Sequence, residues 1–223
     1  MDSFAILILA QDNNKYHKLG DLAPFGDTTL LEWKISQCKQ LTEVANIYIS
    51  SSSSKIENIA KNENINFIHR SNLTTDVNNI LFEFASHINQ DNIFILNVTS
   101  PFLDETIYKQ MYIKFLEQKC DVLASSLLKN EFCFFDNIRL NFDNKFISRE
   151  TIEPIKIMTN GCYIVKTSFI REQEYLFGSK NIFLYALDKL SSIEIKDIMD
   201  YTIANDLISI YFKNLLCVKG TNI

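Results

Sequence analysis

The sequence predicts an α/β fold in three layers: a mostly parallel, doubly wound sheet between helices, with a small β insert. Three observations carry this. Short apolar runs recur between Phe4 and Leu127, continuous rather than alternating, as strands buried on both faces require. Amphipathic stripes at three- and four-residue spacing lie between them, the helical period. Strict strand–helix alternation puts helices on both faces of a parallel sheet, with right-handed crossovers expected.

The elements follow in order. Residues 4–10 are a central strand, and 30–41 a helix with Leu30, Trp33, Ile35 and Cys38 inward. A strand at 46–50 leads through a serine-rich turn to a short helix at 56–62 and a strand at 65–68. Residues 76–88 form a helix with Ile80, Phe84 and Ile88 on one stripe, followed by a strand at 93–98. Ile107, Met111 and Phe115 mark a helix over 104–118, and 122–127 is the fifth strand. Beyond Lys129, short strands at 132–135 and 138–142 flank the turn pair Asp136-Asn137. A strand at 159–165 and a helix at 197–215 follow, the latter with Ala204, Leu207, Ile208, Tyr211 and Leu215 on one face. There is no repeat or linker, and 223 residues suit one domain over 1–223.

Composition narrows the function. A net charge of −5 offers no basic surface for a nucleic acid. The apolar run at 4–10 is far below the roughly 20 residues of a membrane span, and no basic segment precedes it, so no membrane partner is expected and the expected compartment is the cytoplasm. Five scattered cysteines without a C-x-x-C suit reduced thiols rather than disulfides or zinc. With only 5 glycines, no glycine-rich phosphate loop or G-x-G-x-x-G follows any strand. His17, His69 and His87 are scattered, and no Ser/His/Asp set presents itself.

Ligands in such sheets bind at the carboxyl ends of the strands. Gln11 to Lys15 follow the first strand, and Lys15 is a loop cation. Arg70 ends the third, where a guanidinium can reach an anion. Asp76 stands at a helix N-cap. Asn97-Val98-Thr99-Ser100-Pro101 closes the fourth strand with polar groups, and Asn160-Gly161 is a turn signal.

These segments resemble the acylneuraminate (CMP-sugar) cytidylyltransferases over nearly the whole chain. Ala10, Lys15, Leu22, Pro24, Phe25, Gly26, Leu30, Leu31 and Trp33 fit that family's opening. Arg70, Leu73 and Asp76 fit its base and ribose loop, Thr99-Ser100-Pro101 its T-S-P motif and Asn160-Gly161 its N-G strand. Gln11, Asp12 and Asn13 stand where the family has an arginine and glycines around the triphosphate, and Gly20 and Asp21 where it has a lysine and an asparagine. Ser192 to Lys196 matches its S-I-D-I-D, with Glu194 and Lys196 in the places of two metal-binding aspartates.

The resemblance implies a nucleotide-diphospho-sugar transferase-like fold and transfer of CMP from CTP to an acidic sugar, with release of pyrophosphate. It implies Lys15 as the catalytic phosphate cation, and Gln11, Arg70, Asp76, Asn97, Thr99 and Asn160 as nucleotide and substrate contacts. Mg²⁺ would sit on Glu194 with Asp197, Lys196 occupying one of its family ligand positions. A homodimer would form through an insert around 130–150. The replacements Gln11, Asp12, Gly20 and Lys196 also admit an inactive homologue acting as a ligand-binding or partner subunit, or a transferase with another nucleotide or acceptor.

Overall fold

The computed structural model describes residues 3–70, 76–145, 147–173 and 175–219. Ser71 to Thr75 of the third-strand motif and the side chains of Tyr211 and Leu215 lie outside the described residues. In chain order the elements are β1 (Phe4–Leu9), β2 (Pro24–Phe25), β3 (Thr28–Thr29), α1 (Leu30–Lys39), β4 (Ile47–Ser51), α2 (Ser54–Asn62) and β5 (Asn66–His69). Then come α3 (Val77–His87), β6 (Asn92–Asn97), α4 (Glu105–Gln118), β7 (Val122–Lys129), β8 (Phe134–Phe135) and β9 (Ile138–Arg139). The chain closes with β10 (Ile155–Lys166), α5 (Thr167–Gln173), β11 (Ile182–Leu187) and α6 (Ile198–Lys219).

Seven strands form one sheet in the order β11-β7-β10-β6-β1-β4-β5. All run parallel except β10, which lies antiparallel between β6 and β7. The physical reason is the connection. A parallel return needs a crossover, usually a helix, and among the described residues between β7 and β10 there are only the β8–β9 hairpin and a short 3₁₀ turn. Asp136 and Asn137 turn that hairpin with φ of 46° and 67°, the left-handed region such a two-residue loop demands.

Apolar residues pack on both faces. One cluster joins Ile6, Ile8 and Ile49 to α1, α2, α4 and α6 through Leu30, Ile35, Ile56, Tyr108, Met111, Phe115, Ala204 and Ile208. The other joins Leu7 and Ile95 to α3 and α5 through Ile80, Phe84 and Ile170. Trp33 and Ile107, expected inward, are half-buried at the edge of the first cluster. Asp76 and Asp104 cap α3 and α4 by accepting amides of their first turns.

The expected strands and helices all form, with ends displaced by a few residues. The structure adds β2, β3, α5 and β11. The run Ile182–Leu187 carries the same continuous apolar signal as β1, yet it follows the insert, where strand–helix alternation no longer points to a strand. Among the described residues no helix is long and apolar enough to cross a membrane.

Candidate active site

β1, β5, β6 and β10 bring their site residues to one cavity of about 590 Å³. Gln11, Asp12, Asn13, Arg70, Asn97, Thr99 and Asn160 line it, together with Asp21, Val77, Tyr163 and Phe177. Arg70 is the only cation among these described lining residues.

The loop after β1 is built around a buried carboxylate. Asp21 is 4% exposed; it accepts the Gln11 amide at 2.7 Å and the Tyr16 hydroxyl at 2.5 Å. Burial pushes its pKa up to about 6, against the pull of these hydrogen bonds and of the Arg70 charge. Gly20 makes this close wrapping possible. Its φ is +52°, and a Cβ there would stand 2.4 Å from the Gln11 carbonyl oxygen and 2.5 Å from the Asn13 nitrogen. The glycine where the family has a lysine thus has a local steric cause.

Two further contacts fix this end. The Ser53 hydroxyl donates to the Asp12 carboxylate at 2.6 Å, which holds that charge at the cavity wall. Arg70 donates through Nη2 to the Ala10 carbonyl at 3.2 Å, and its backbone amide continues the β4–β5 ladder to Ser51. The guanidinium is therefore braced against β1 with other N–H groups left for a ligand.

Asn160 comes from a bulge. β10 pairs Met158 with Ser126 and then Tyr163 with Ala124, so extra residues loop out between them. Ser125, fully buried, satisfies the bulge: its Oγ lies 2.7 Å from Thr159 Oγ1 and accepts the Cys162 amide at 3.0 Å. Gly161 sits against the turn after β6, where a Cβ would come within 3.0 Å of Leu103 Cδ2 and 3.2 Å of Ser100 Oγ. The bulge presents Asn160, whose backbone carbonyl accepts from the Asn97 side-chain Nδ2 and whose Oδ1 accepts the Tyr163 hydroxyl at 2.5 Å. Burial, and to a lesser degree the Glu194 charge, pushes the Tyr163 hydroxyl up to about 12.

The segment before α6 docks on the same side. The Ile195 amide donates to the Thr99 carbonyl at 2.8 Å. The Glu194 side chain is only 9% exposed and pairs with Lys196 at 3.2 Å. Asp197 caps α6, its Oδ1 accepting the amides of Met199 and Asp200. Glu194 and Asp197 do not converge with a third carboxylate, and no cluster of three potential ligands occurs among the described residues.

Lys15 is exposed in the β1 loop and does not line the cavity. Asp76 acts through its cap, which positions Val77 at the cavity wall. Sequence reasoning missed Tyr16, Ser53, Tyr163 and Phe177. Phe177 is 51% exposed and meets Tyr163 edge-on at 5.7 Å, a partnership between distant segments with no local signature.

The braced arginine and the β6 turn fall within a stretch that matches a known family: residues 18–156 match the cytidylyltransferase family model, more than half of the chain, while Gln11 to Lys15 and Asn160 lie outside the matched stretch. The chain belongs to the cytidylyltransferase family. Its class of chemistry is nucleotidyl transfer. Solved structures show the same fold. A CMP:2-keto-3-deoxy-manno-octonic acid synthetase complexed with CTP superposes with a TM-score of 0.73 at 11% identity, over 93% of this chain and 98% of that one. The 4-diphosphocytidyl-2C-methyl-D-erythritol synthase of Anaerococcus prevotii gives 0.68 at 14% identity, over 93% and 96%. A cytidylyltransferase from Leptospira borgpetersenii gives 0.63 at 20% identity, over 100% and 99%. No curated protein sequence matches the chain.

Proposed function

We propose that this cytidylyltransferase moves CMP from CTP to an acidic sugar of the sialic-acid-like class, releasing pyrophosphate. The observation that carries the reading is the convergence of Gln11, Arg70, Asn97, Thr99 and Asn160, from three strand ends and the β10 bulge, on one cavity. The acceptor hydroxyl attacks the α-phosphorus in line. A new P–O bond forms as the bond to the bridging oxygen breaks, the electron pair leaves with pyrophosphate, and the hydroxyl proton passes to water. In such a step the protein supplies position and charge. Arg70 is the lining cation for the phosphates with Gln11 as a donor beside it, and Lys15, outside the lining but on the same β1 loop, is the proposed second cation. Asn97, Thr99 and Asn160 orient the acceptor, and Asp76 orders the helix start next to the nucleotide.

Mg²⁺ is the counter-ion that the acylneuraminate resemblance implies. The donor set does not fit it as it stands: Glu194 is paired with Lys196, and the Oδ1 of Asp197 already takes two amides. Lys196 is proposed as a resident counter-charge in the metal's place. The reading further includes one domain over 1–223 that works in the cytoplasm as a homodimer. The insert supports the dimer: Phe134, Phe135, Ile138 and Leu140 are each more than half exposed, while Phe132 and Phe134 pack edge-on against Phe142.

Asp12 favours a second reading. A carboxylate where a triphosphate is expected to lie would repel it, which suits a partner subunit without turnover, or a transferase with another nucleotide or acceptor. Pyrophosphate release from CTP, with eight- and nine-carbon sugar acids and with a phosphorylated polyol as contrast, tests both readings. Turnover with a sugar acid supports the first; turnover with the polyol alone moves the acceptor class. No release and no calorimetric binding of CTP would overturn it.

A further inference from the structure

We propose that Lys34 is a positioning residue that sets the acceptor side of the site through the turn after β6, an inference that rests on the cytidylyl-transfer reading above. Lys34 lies on the face of α1 that packs into the core and has no solvent exposure. Its Nζ donates to the Ser100 carbonyl at 2.9 Å, the Leu103 carbonyl at 3.2 Å and the Tyr108 hydroxyl at 2.7 Å. An ammonium has three N–H donors, and each has a partner here. Trp33 Nε1 and Gln37 Nε2 both donate to the Pro101 carbonyl, at 2.7 and 2.9 Å. One helix therefore holds the carbonyls of Ser100, Pro101 and Leu103, in a turn whose own backbone bonds, Ser100 to Asn97 at 3.4 Å and Leu103 to Ser100 at 3.5 Å, are long.

The other side of the turn carries the site. Thr99 lines the cavity, and its carbonyl receives the Ile195 amide next to Glu194. Gly161, adjacent to Asn160, rests on Ser100 and Leu103. The nucleotide end is held by a separate network, Asp21 with Gln11, Tyr16 and Arg70. Loss of the ammonium should loosen the acceptor side and spare the nucleotide end.

The groups around Lys34 are Cys38 on α1, Asp104 and Tyr108 at the start of α4, and Cys162 on β10. Burial lowers Lys34 to about 8 and raises the Cys38 thiol to about 12, with Cys162 and Tyr108 also raised. Lys34 is thus the member of this cluster that titrates in mildly alkaline solution. Its neutral form keeps two N–H donors but loses the charge that strengthens its bonds to the Ser100 and Leu103 carbonyls, even where the Tyr108 hydroxyl turns to donate to the amine.

Amide hydrogen exchange on the full chain tests this without needing turnover. In Lys34→Met, segments 97–103 and 192–196 should exchange at least about tenfold faster, the scale of stranding a buried carbonyl. Segment 10–21 and the calorimetric affinity for CTP should stay unchanged. Wild-type protein should lose protection in the same two segments with a midpoint near pH 8, after correction for intrinsic exchange. Tyr108→Phe removes one acceptor and keeps the ring, so it should give an intermediate effect even if Lys34→Met does not fold. In turnover, Lys34→Met should raise KM for the acceptor and leave KM for CTP alone. Uniform acceleration, no acceleration, or an equal loss of CTP affinity would overturn the proposal. If the wild type binds CTP and shows the exchange pattern but transfers nothing, the positioning role stands and the proposed reaction fails.

Discussion

The buried carboxylate of Asp21 accepts the Gln11 amide at 2.7 Å, so the loop after β1 closes around a charge. Its pKa, raised from 3.8 to about 6, means that the folded state holds the proton more tightly than the unfolded chain does. Ionising Asp21 therefore destabilises the fold, and its contribution falls as pH rises from about 4 to about 6, by roughly 3 kcal/mol at most. Thermal unfolding of the wild type and Asp21→Asn across that range checks this. The stability difference between them should shift in favour of the variant as pH rises; a constant difference refutes the account.

Gly20→Ala forces a side chain into the left-handed region and against three backbone atoms of the β1 loop. The conformational cost alone is about 1–2 kcal/mol, and the contact adds to it. The urea midpoint should fall and CTP affinity with it. An unchanged midpoint would mean that the loop relaxes freely.

Arg70→Ala removes the only cation among the described lining residues. A charge-assisted hydrogen bond is worth about 1.5–3 kcal/mol, so CTP affinity should fall roughly ten- to hundredfold. Calorimetry measures this, and an affinity within a factor of about two of wild type would exclude a phosphate contact.

Ser125→Ala strands the Cys162 amide inside the bulge. A loss of about 1–3 kcal/mol is expected in urea unfolding. Because the bulge presents Asn160, KM for the acceptor should rise as well. Loss of stability with unchanged KM would show that Asn160 is not an acceptor contact.

Phe135 is 66% exposed on the insert. Phe135→Glu should leave thermal stability nearly unchanged and shift sedimentation from dimer to monomer. A wild type that sediments as a monomer at all concentrations would remove the dimer.

The sheet, its helices and their two apolar faces were legible in the sequence, because continuous runs such as Ile6 to Ile8 and stripes such as Ile80 and Phe84 state which way each element faces. The Asp136-Asn137 turn was legible for the same local reason. Gln11, Arg70, Asn97 and Thr99 were legible as lining residues because the carboxyl ends of strands are where such sheets bind ligands, whereas Asn160 was indicated only by the family resemblance and reaches the cavity from a bulge inside β10.

Other features were decided only in three dimensions. The antiparallel course of β10 follows from what connects it to β7. Asp197 acts as a cap because α6 begins directly after it, at Ile198. Lys34, an unremarked charge in a helix, becomes a buried clamp because Ser100, Leu103 and Tyr108 turn their oxygens toward it. Local patterns along the chain fix which face of each element is apolar. Which polar groups meet inside depends on contacts between residues more than sixty positions apart, as Lys34 and Ser100 are, and no periodicity records those.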